Sequence, residues 1–168
     1  MDTSVASHLH PSGRYAELFT ASVRAGTPVV VAAPTAIETI YGFARHVSAT
    51  RTAATDLAWY RTLFAGPFAR VLPVDASASI LAGELRALHS LPPAVARSDG
   101  RTKPERRVAW VLDVLIAATA WTAGYGIATR NRGDFEVLRD LIEELHPGVT
   151  PLVVEDPPGP HRWYDDVI

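Results

Sequence analysis

Between Val108 and Ala128 the chain reads VAWVLDVLIAATAWTAGYGIA, an apolar run about as long as a bilayer is thick, whose only ionisable side chain is Asp113. A carboxylate in such surroundings is costly unless it is paired, hydrogen-bonded or bound to a metal. Gly124 and Gly126 divide the run into a helix-like half and a strand-like half, and a carboxylate at the bilayer midplane is expensive. The run therefore predicts a buried helix and then a buried strand, not a membrane span. Polar residues crowd in where the apolar pattern stops, TRNRGDF from Thr129 to Phe135. This puts a cluster of functional groups at the strand's carboxyl end.

The chain has 168 residues, 48% of them hydrophobic and 20% charged, which describes one globular domain with a proper core. We expect that domain over residues 1–156 and a proline-rich tail over 157–168. The absence of cysteine excludes disulfides, thiolate metal sites and thiol nucleophiles. A net charge of −2 gives no bulk attraction to a polyanion, so nucleic acid would have to be met by a local basic patch. The opening MDTSVASHLHPSG has no basic region followed by an apolar core, so it does not read as a signal peptide, and cytoplasmic residence is expected.

Periodicity predicts a helix over 14–24 ended by Gly26 and a buried strand over 27–33. A helix then opens at Pro34-Thr35 and runs to about Ser48, with Thr35 and Glu38 in capping-box spacing. A further helix covers 53–64, a strand 71–74, and a helix 76–89 starts beside Asp75. Residues 90–108 have no hydrophobic period and read as a loop. Helix 110–123, strand 125–129, helix 135–145 and strand 149–154 complete the order. Alternating strands and helices mean an α/β domain with a mainly parallel sheet, in which ligands gather beyond the carboxyl ends of the strands.

Four carboxylates stand beside apolar segments where acids are otherwise scarce: Asp2, Glu38, Asp113 and Asp134. If they converge, mutual repulsion raises their pKa values unless a cation neutralises them. Oxygen ligands without Cys or a His pair suit a hard cation, Mg²⁺ or Mn²⁺, and phosphodiester hydrolysis is its natural chemistry. Each acid also has a plainer role. Glu38 completes a capping box, Asp134 caps a helix beginning at Phe135, Asp2 is a terminal residue, and Asp113 is a structural acid in need of an arginine partner.

The blocks DTS (2–4), TAIETIYG (35–42), DVLIAATA (113–120) and TRNRGDF (129–135) resemble the signature blocks of PIN domains, nearest to the VapC-type toxin ribonucleases of bacterial toxin–antitoxin pairs. The resemblance spans nearly the whole chain in the right order. It implies a three-layer α/β/α fold and a Mg²⁺-dependent endoribonuclease whose catalytic and metal-holding acids are Asp2, Glu38, Asp113 and Asp134. Thr3, Thr129 and Asn131 would be polar supports. It also implies a homodimer and a small VapB-like antitoxin that blocks the acidic site.

The chain departs from the family pattern at its start, where the family has a short apolar strand, central in the sheet, before the first Asp. Only Met1 precedes Asp2, so the central strand is expected to be missing or truncated, either because the start lies further upstream or because that position is unfilled. A PIN-like module that has lost catalysis and acts through protein or RNA contacts is the competing reading. A phosphotransfer receiver or an Asp-nucleophile phosphatase would need a second acid near Asp2 and a late lysine, and the chain has neither.

For RNA contact the candidates are Arg106 and Arg107, in a basic cluster with Arg97, Arg101 and Lys103, and Arg130 and Arg132 beside Asp134. A solvated loop or a helix-end ion pair is the plainer role for these charges. Trp59, Tyr60, Leu63 and Phe64 form a core stripe whose exposed part would serve a partner.

Overall fold

The computed structural model describes residues 1–47, 51–92 and 102–157. Among these the elements run α1 (Thr3–Ala6), α2 (Ala16–Ala25), β1 (Val29–Ala32), α3 (Ala33–His46), α4 (Arg51–Ala65), β2 (Ala69–Leu72) and α5 (Ala76–Leu88), then α6 (Lys103–Thr122), β3 (Ile127–Ala128), α7 (Arg132–Leu145) and β4 (Val154–Glu155). Residues 158–168, the greater part of the expected tail, and Arg97 and Arg101 of the basic cluster lie outside the described residues.

The strands pair in parallel as the alternation of elements requires. Val29 to Ala32 lie opposite Ala69 to Leu72, and Ile127 and Ala128 lie opposite Val154 and Glu155. These are two separate two-stranded sheets. Between the inner edges of β1 and β3 is an open slot of about 440 Å³, lined by both strands and by Ile116 and Ala120 of α6. Two residues bridge it at one end. The Met1 ammonium donates to the Val30 carbonyl (3.0 Å), and the Asp2 amide donates to the Ala128 carbonyl (3.1 Å). Burial pulls the Met1 ammonium down to about 6, against a weaker upward pull from Asp2.

Successive strand residues face opposite sides, and β1 divides its residues between two apolar centres. Val29 joins Val5, Leu9, Leu18, Tyr60 and Leu63 on one side. Ala32 joins Leu81, Leu85, Trp110, Val114, Phe135 and Leu138 on the other. Helices therefore cover both faces of the strands, the three-layer α/β/α arrangement. Tyr60 and Leu63 of the aromatic stripe are core, with Trp59 and Phe64 packed partly buried against them.

Local sequence explains where the elements stop and start. Gly26 caps α2 in the left-handed region (φ 66°), where a glycine costs least. Gly124 (φ 76°) does the same just past α6. Asp75 caps α5, accepting the Ala78 amide at 2.8 Å. α6 holds the apolar run, with Trp110, Val114 and Ile116 to Ala120 buried. No helix among the described residues is long and apolar enough to cross a membrane.

Three local expectations need correction. α3 begins at Ala33 with Ala32 as its N-cap, so Thr35 and Glu38 form no capping box; Pro34 occupies the first turn, where its missing N–H is harmless. α6 begins at Lys103, inside the stretch expected to be a loop, with a capping box between Thr102 and Glu105. Asp134 does not cap α7, because Asn131 is the N-cap and Asp134 lies within the first turn.

Candidate active site

The carboxyl ends of β1 and β3 lead into α3 and into Thr129, and the segment Asp2 to Ser4 lies between them. Asp2 is 4% exposed. Its amide is tied to Ala128, which points the side chain past the end of β3. There Oδ1 accepts from the Ser4 hydroxyl and Oδ2 from the Thr129 hydroxyl, each at 2.8 Å. Burial raises the Asp2 carboxyl above its ordinary value; these two hydroxyls oppose the shift without cancelling it.

The bonding continues in both directions. The fully buried Thr129 hydroxyl also accepts the Asn131 amide at 2.8 Å, and Asn131 Nδ2 donates to Asp134 Oδ2 at 2.8 Å. On the other side Thr3 donates its hydroxyl to Glu38 Oε2 at 2.5 Å. Asp2 and Asp134 thus belong to one hydrogen-bonded chain with Ser4, Thr129 and Asn131, and Glu38 is bonded to Thr3, the residue next to Asp2. Thr3, Thr129 and Asn131 each donate one of these bonds to a carboxylate.

Asp113 is half-buried on α6. It shares a helical face with Ile116 and Ala120, which line the slot. The Ala120 carbonyl accepts the Tyr125 amide at the entry to β3, so α6 runs against the strands. Asp113 therefore lies one turn beyond Ile116, toward the strands' carboxyl ends. Arg106 lies seven residues earlier on the same stripe.

Among the described residues no group of three or more His, Cys, Asp or Glu is arranged to hold a metal ion. The carboxylates are held by hydroxyls and an amide. An ionised carboxylate has about four lone-pair sites, so Asp2, accepting one side-chain bond on each oxygen, keeps capacity for a hard cation. The oxygen-only donor set fits Mg²⁺ or Mn²⁺ chemically.

The arginines divide. Arg132 donates to Glu136 at 2.8 Å and to Asp156 at 3.3 Å, so its guanidinium serves the helix-end ion-pair role. The Arg130 side chain is exposed, and its amide donates to the Ser4 hydroxyl at 2.9 Å. Arg107 is exposed near the start of α6. Sequence reasoning assigned Ser4 no separate role in the site and read Thr35 as a helix cap. Ser4 is the hub that joins Asp2 to Arg130; its only signal was a hydroxyl two residues after an acid, a spacing that favours local bonding. Thr35, fully buried, donates to the Met1 carbonyl at 3.3 Å and steadies the approach to Asp2.

The family model described as PIN domain matches residues 1–141. No curated protein and no solved structure matches the chain.

Proposed function

The chain belongs to the PIN domain family, whose members are generally nucleases that act on RNA or DNA and typically use divalent metals, and we propose that it is a Mg²⁺- or Mn²⁺-dependent endoribonuclease. We propose further that it is the toxin of a VapBC-type pair, acting in the cytoplasm as a homodimer held in check by a small VapB-like antitoxin. The observation that supports the nuclease reading is that Asp2 and Asp134 share one hydrogen-bonded chain at the carboxyl end of β3 while Glu38 is bonded to Thr3, next to Asp2.

In this reading Asp2, Glu38, Asp113 and Asp134 would hold the ion. Ser4 and Thr129 fix the two oxygens of Asp2, Thr3 fixes Glu38, and Asn131 fixes Asp134, so the donors keep their positions before substrate arrives. A bound divalent ion would polarise a phosphoryl oxygen and lower the pKa of water. One carboxylate takes the proton of the attacking water as its oxygen bonds to phosphorus and the ribose oxygen departs. Arg106, on the Asp113 stripe, and the exposed Arg107 and Arg130 receive flanking phosphates. Arg132 is committed to Glu136 and Asp156 and drops out of this role.

The toxin reading rests on the resemblance of the signature blocks. It is supported by Ile37 and Tyr41, which flank Glu38 on α3 and are 62% and 61% exposed. Apolar side chains presented together beside an acidic site suit a protein contact that covers it.

The second reading is a catalytically impaired binding module, favoured by the slender hold on Asp2: among the described residues its backbone is tied to β3 by a single bond, to the Ala128 carbonyl. Incubation of the purified chain with RNA separates the two. A nuclease cleaves with Mg²⁺, stops with EDTA and loses activity in Asp113→Asn. A binding module shows neither cleavage nor saturable Mg²⁺ binding by calorimetry. Cleavage by Asp113→Asn at the parent rate would refute the four-acid assignment.

A further inference from the structure

We propose that Ser12 is an acyl-acceptor site, its hydroxyl activated by a relay through His10 to Asp56, and that it takes the acyl group of an activated donor, an aryl ester. The site shares no residue with the acidic cluster, and the inference stands whether or not the chain cleaves RNA.

One face of α4 holds the His10 ring. Trp59 and Tyr60 follow Asp56 by three and four residues, so the three side chains form one stripe. The Asp56 carboxylate lies 3.4 Å from His10 Nε2, with both side chains mostly buried. Trp59 meets the imidazole edge to face, with 5.1 Å between ring centroids. The Tyr60 hydroxyl accepts the His10 amide at 3.3 Å. Burial pushes that phenol up to about 12, so it stays neutral beside Asp56. Asp56 Oδ1 is buried and makes no hydrogen bond among the described residues. A buried acceptor left unsatisfied is costly, and the His10 Nε2 proton is what faces it.

The other ring nitrogen faces Ser12, which is exposed. Nδ1 accepts the Ser12 amide at 3.3 Å, which puts the proton of the neutral ring on Nε2. The Ser12 hydroxyl stands 2.8 Å from the same Nδ1. Nucleophile, base and orienting acid in that order are what activate a serine. A ring that merely closed a turn would need no acid brought to its far side from another helix. The turn itself is tightly held. The Gly13 amide donates to the His10 carbonyl at 2.6 Å and the Tyr15 amide to the His8 carbonyl at 2.8 Å, and a Cβ on Gly13 would strike the His8 carbonyl.

The same bonds define the substrate. The amides of Ser12 and Gly13 are both engaged, so neither is free to bind a developing oxyanion. The donor must therefore bring a good leaving group, and an acyl group once on Ser12 departs slowly. Ser12 is a site of acyl modification more than of turnover. In the step, Ser12 Oγ bonds to the carbonyl carbon and gives its proton to His10 Nδ1, while Asp56 steadies the imidazolium through Nε2–H. The carbon–oxygen bond to the aryl group then breaks, and the phenol departs with the proton that His10 took up.

The test is p-nitrophenyl acetate on the full chain, read by nitrophenol release and by mapping the acetyl group in peptides. A burst of one nitrophenol per chain should leave acetyl on Ser12, at a rate on the order of 100-fold above that of the exposed Ser77 on α5 in the same sample. Ser12→Ala should lose the burst, and Asp56→Asn should slow it by about 10-fold or more. The advantage over Ser77 should vanish in concentrated urea, where Asp56 no longer faces His10. Acetylation of Ser12 no faster than Ser77, or acetyl confined to Lys103 and the Met1 amine, would overturn the proposal without any variant. So would an advantage that persists in urea, or an unslowed burst in Asp56→Asn, since the relay to α4 would then be idle.

Discussion

Replacing Thr129 by Val keeps the shape of the side chain and removes one hydroxyl, which in this fold does two jobs. It donates to Asp2 Oδ2 and accepts the Asn131 amide, each at 2.8 Å, in a fully buried position. A hydrogen bond to an ionised group is worth about 1.5–3 kcal/mol, and a buried donor left unsatisfied costs about 1–3 kcal/mol. Asn131 is half-exposed and its amide can find water, so the lower part of that sum applies. The expected loss is about 3 kcal/mol at pH 7, or roughly 6–12 °C in Tm for a chain of this size. Thr129 is also one of the influences that hold the Asp2 carboxyl down, so its removal pushes that carboxyl further up. Thr129→Ser retains the hydroxyl and loses only a methyl, about 1 kcal/mol. Calorimetric melting and RNA cleavage on parent, Thr129→Val and Thr129→Ser test this together. If Thr129→Val melts within about 2 °C of the parent and cleaves at its rate, the polar chain does not hold the site.

Asp2→Asn should melt higher than the parent at pH 7 while abolishing cleavage. Because burial raises the Asp2 carboxyl, the native state holds its proton more tightly than the unfolded state does. The stability this brings is fully present below the ordinary carboxylate pKa and lost as pH rises through the folded value. A neutral amide removes that loss, so the pH dependence of Tm should flatten across this window, and an unchanged profile would count against burial as the dominant influence. Phe135→Ala, at a fully buried side chain directly after Asp134, should cost about 3–5 kcal/mol by urea denaturation, and a cost below about 1 kcal/mol would mean the side chain is not core.

Much of the fold was legible because hydrophobic period and caps are local signals. The apolar stripe of α6 and the β-branched run of β1 fall where the pattern puts them, and Gly26 ends α2 as glycine should. The first turns of α6 were missed because Arg107 and Val108 are exposed and the segment shows no buried period. The Thr102–Glu105 capping box with Pro104 was the available signal. Thr35 and Glu38 have capping-box spacing, yet their partners are Met1 and Thr3, each more than thirty residues away along the chain. The acids themselves were visible from their apolar neighbours. The bonds that link them, such as Thr129 to Asp2 across 127 residues, follow from tertiary packing that no local pattern encodes.

The split between the two sheets has a consequence for how the domain breathes. The larger apolar centre takes in Ala32 of β1 and Ile127 of β3 alike, while the facing strand edges are tied through the backbone of Met1 and Asp2, and thinly bonded places open at lower free energy than the interior. Glu38, bonded to Thr3, stands on the helix that follows β1, whereas Asp2 is bonded to Ala128 and Thr129 and Asp134 to Asn131, on the side of β3. A slight parting of the two sheets separates Glu38 from Asp2 and Asp134 before the interior loosens. Denaturant far too dilute to melt the helices would then already silence the chemistry, which ties working life to the tightness of one joint.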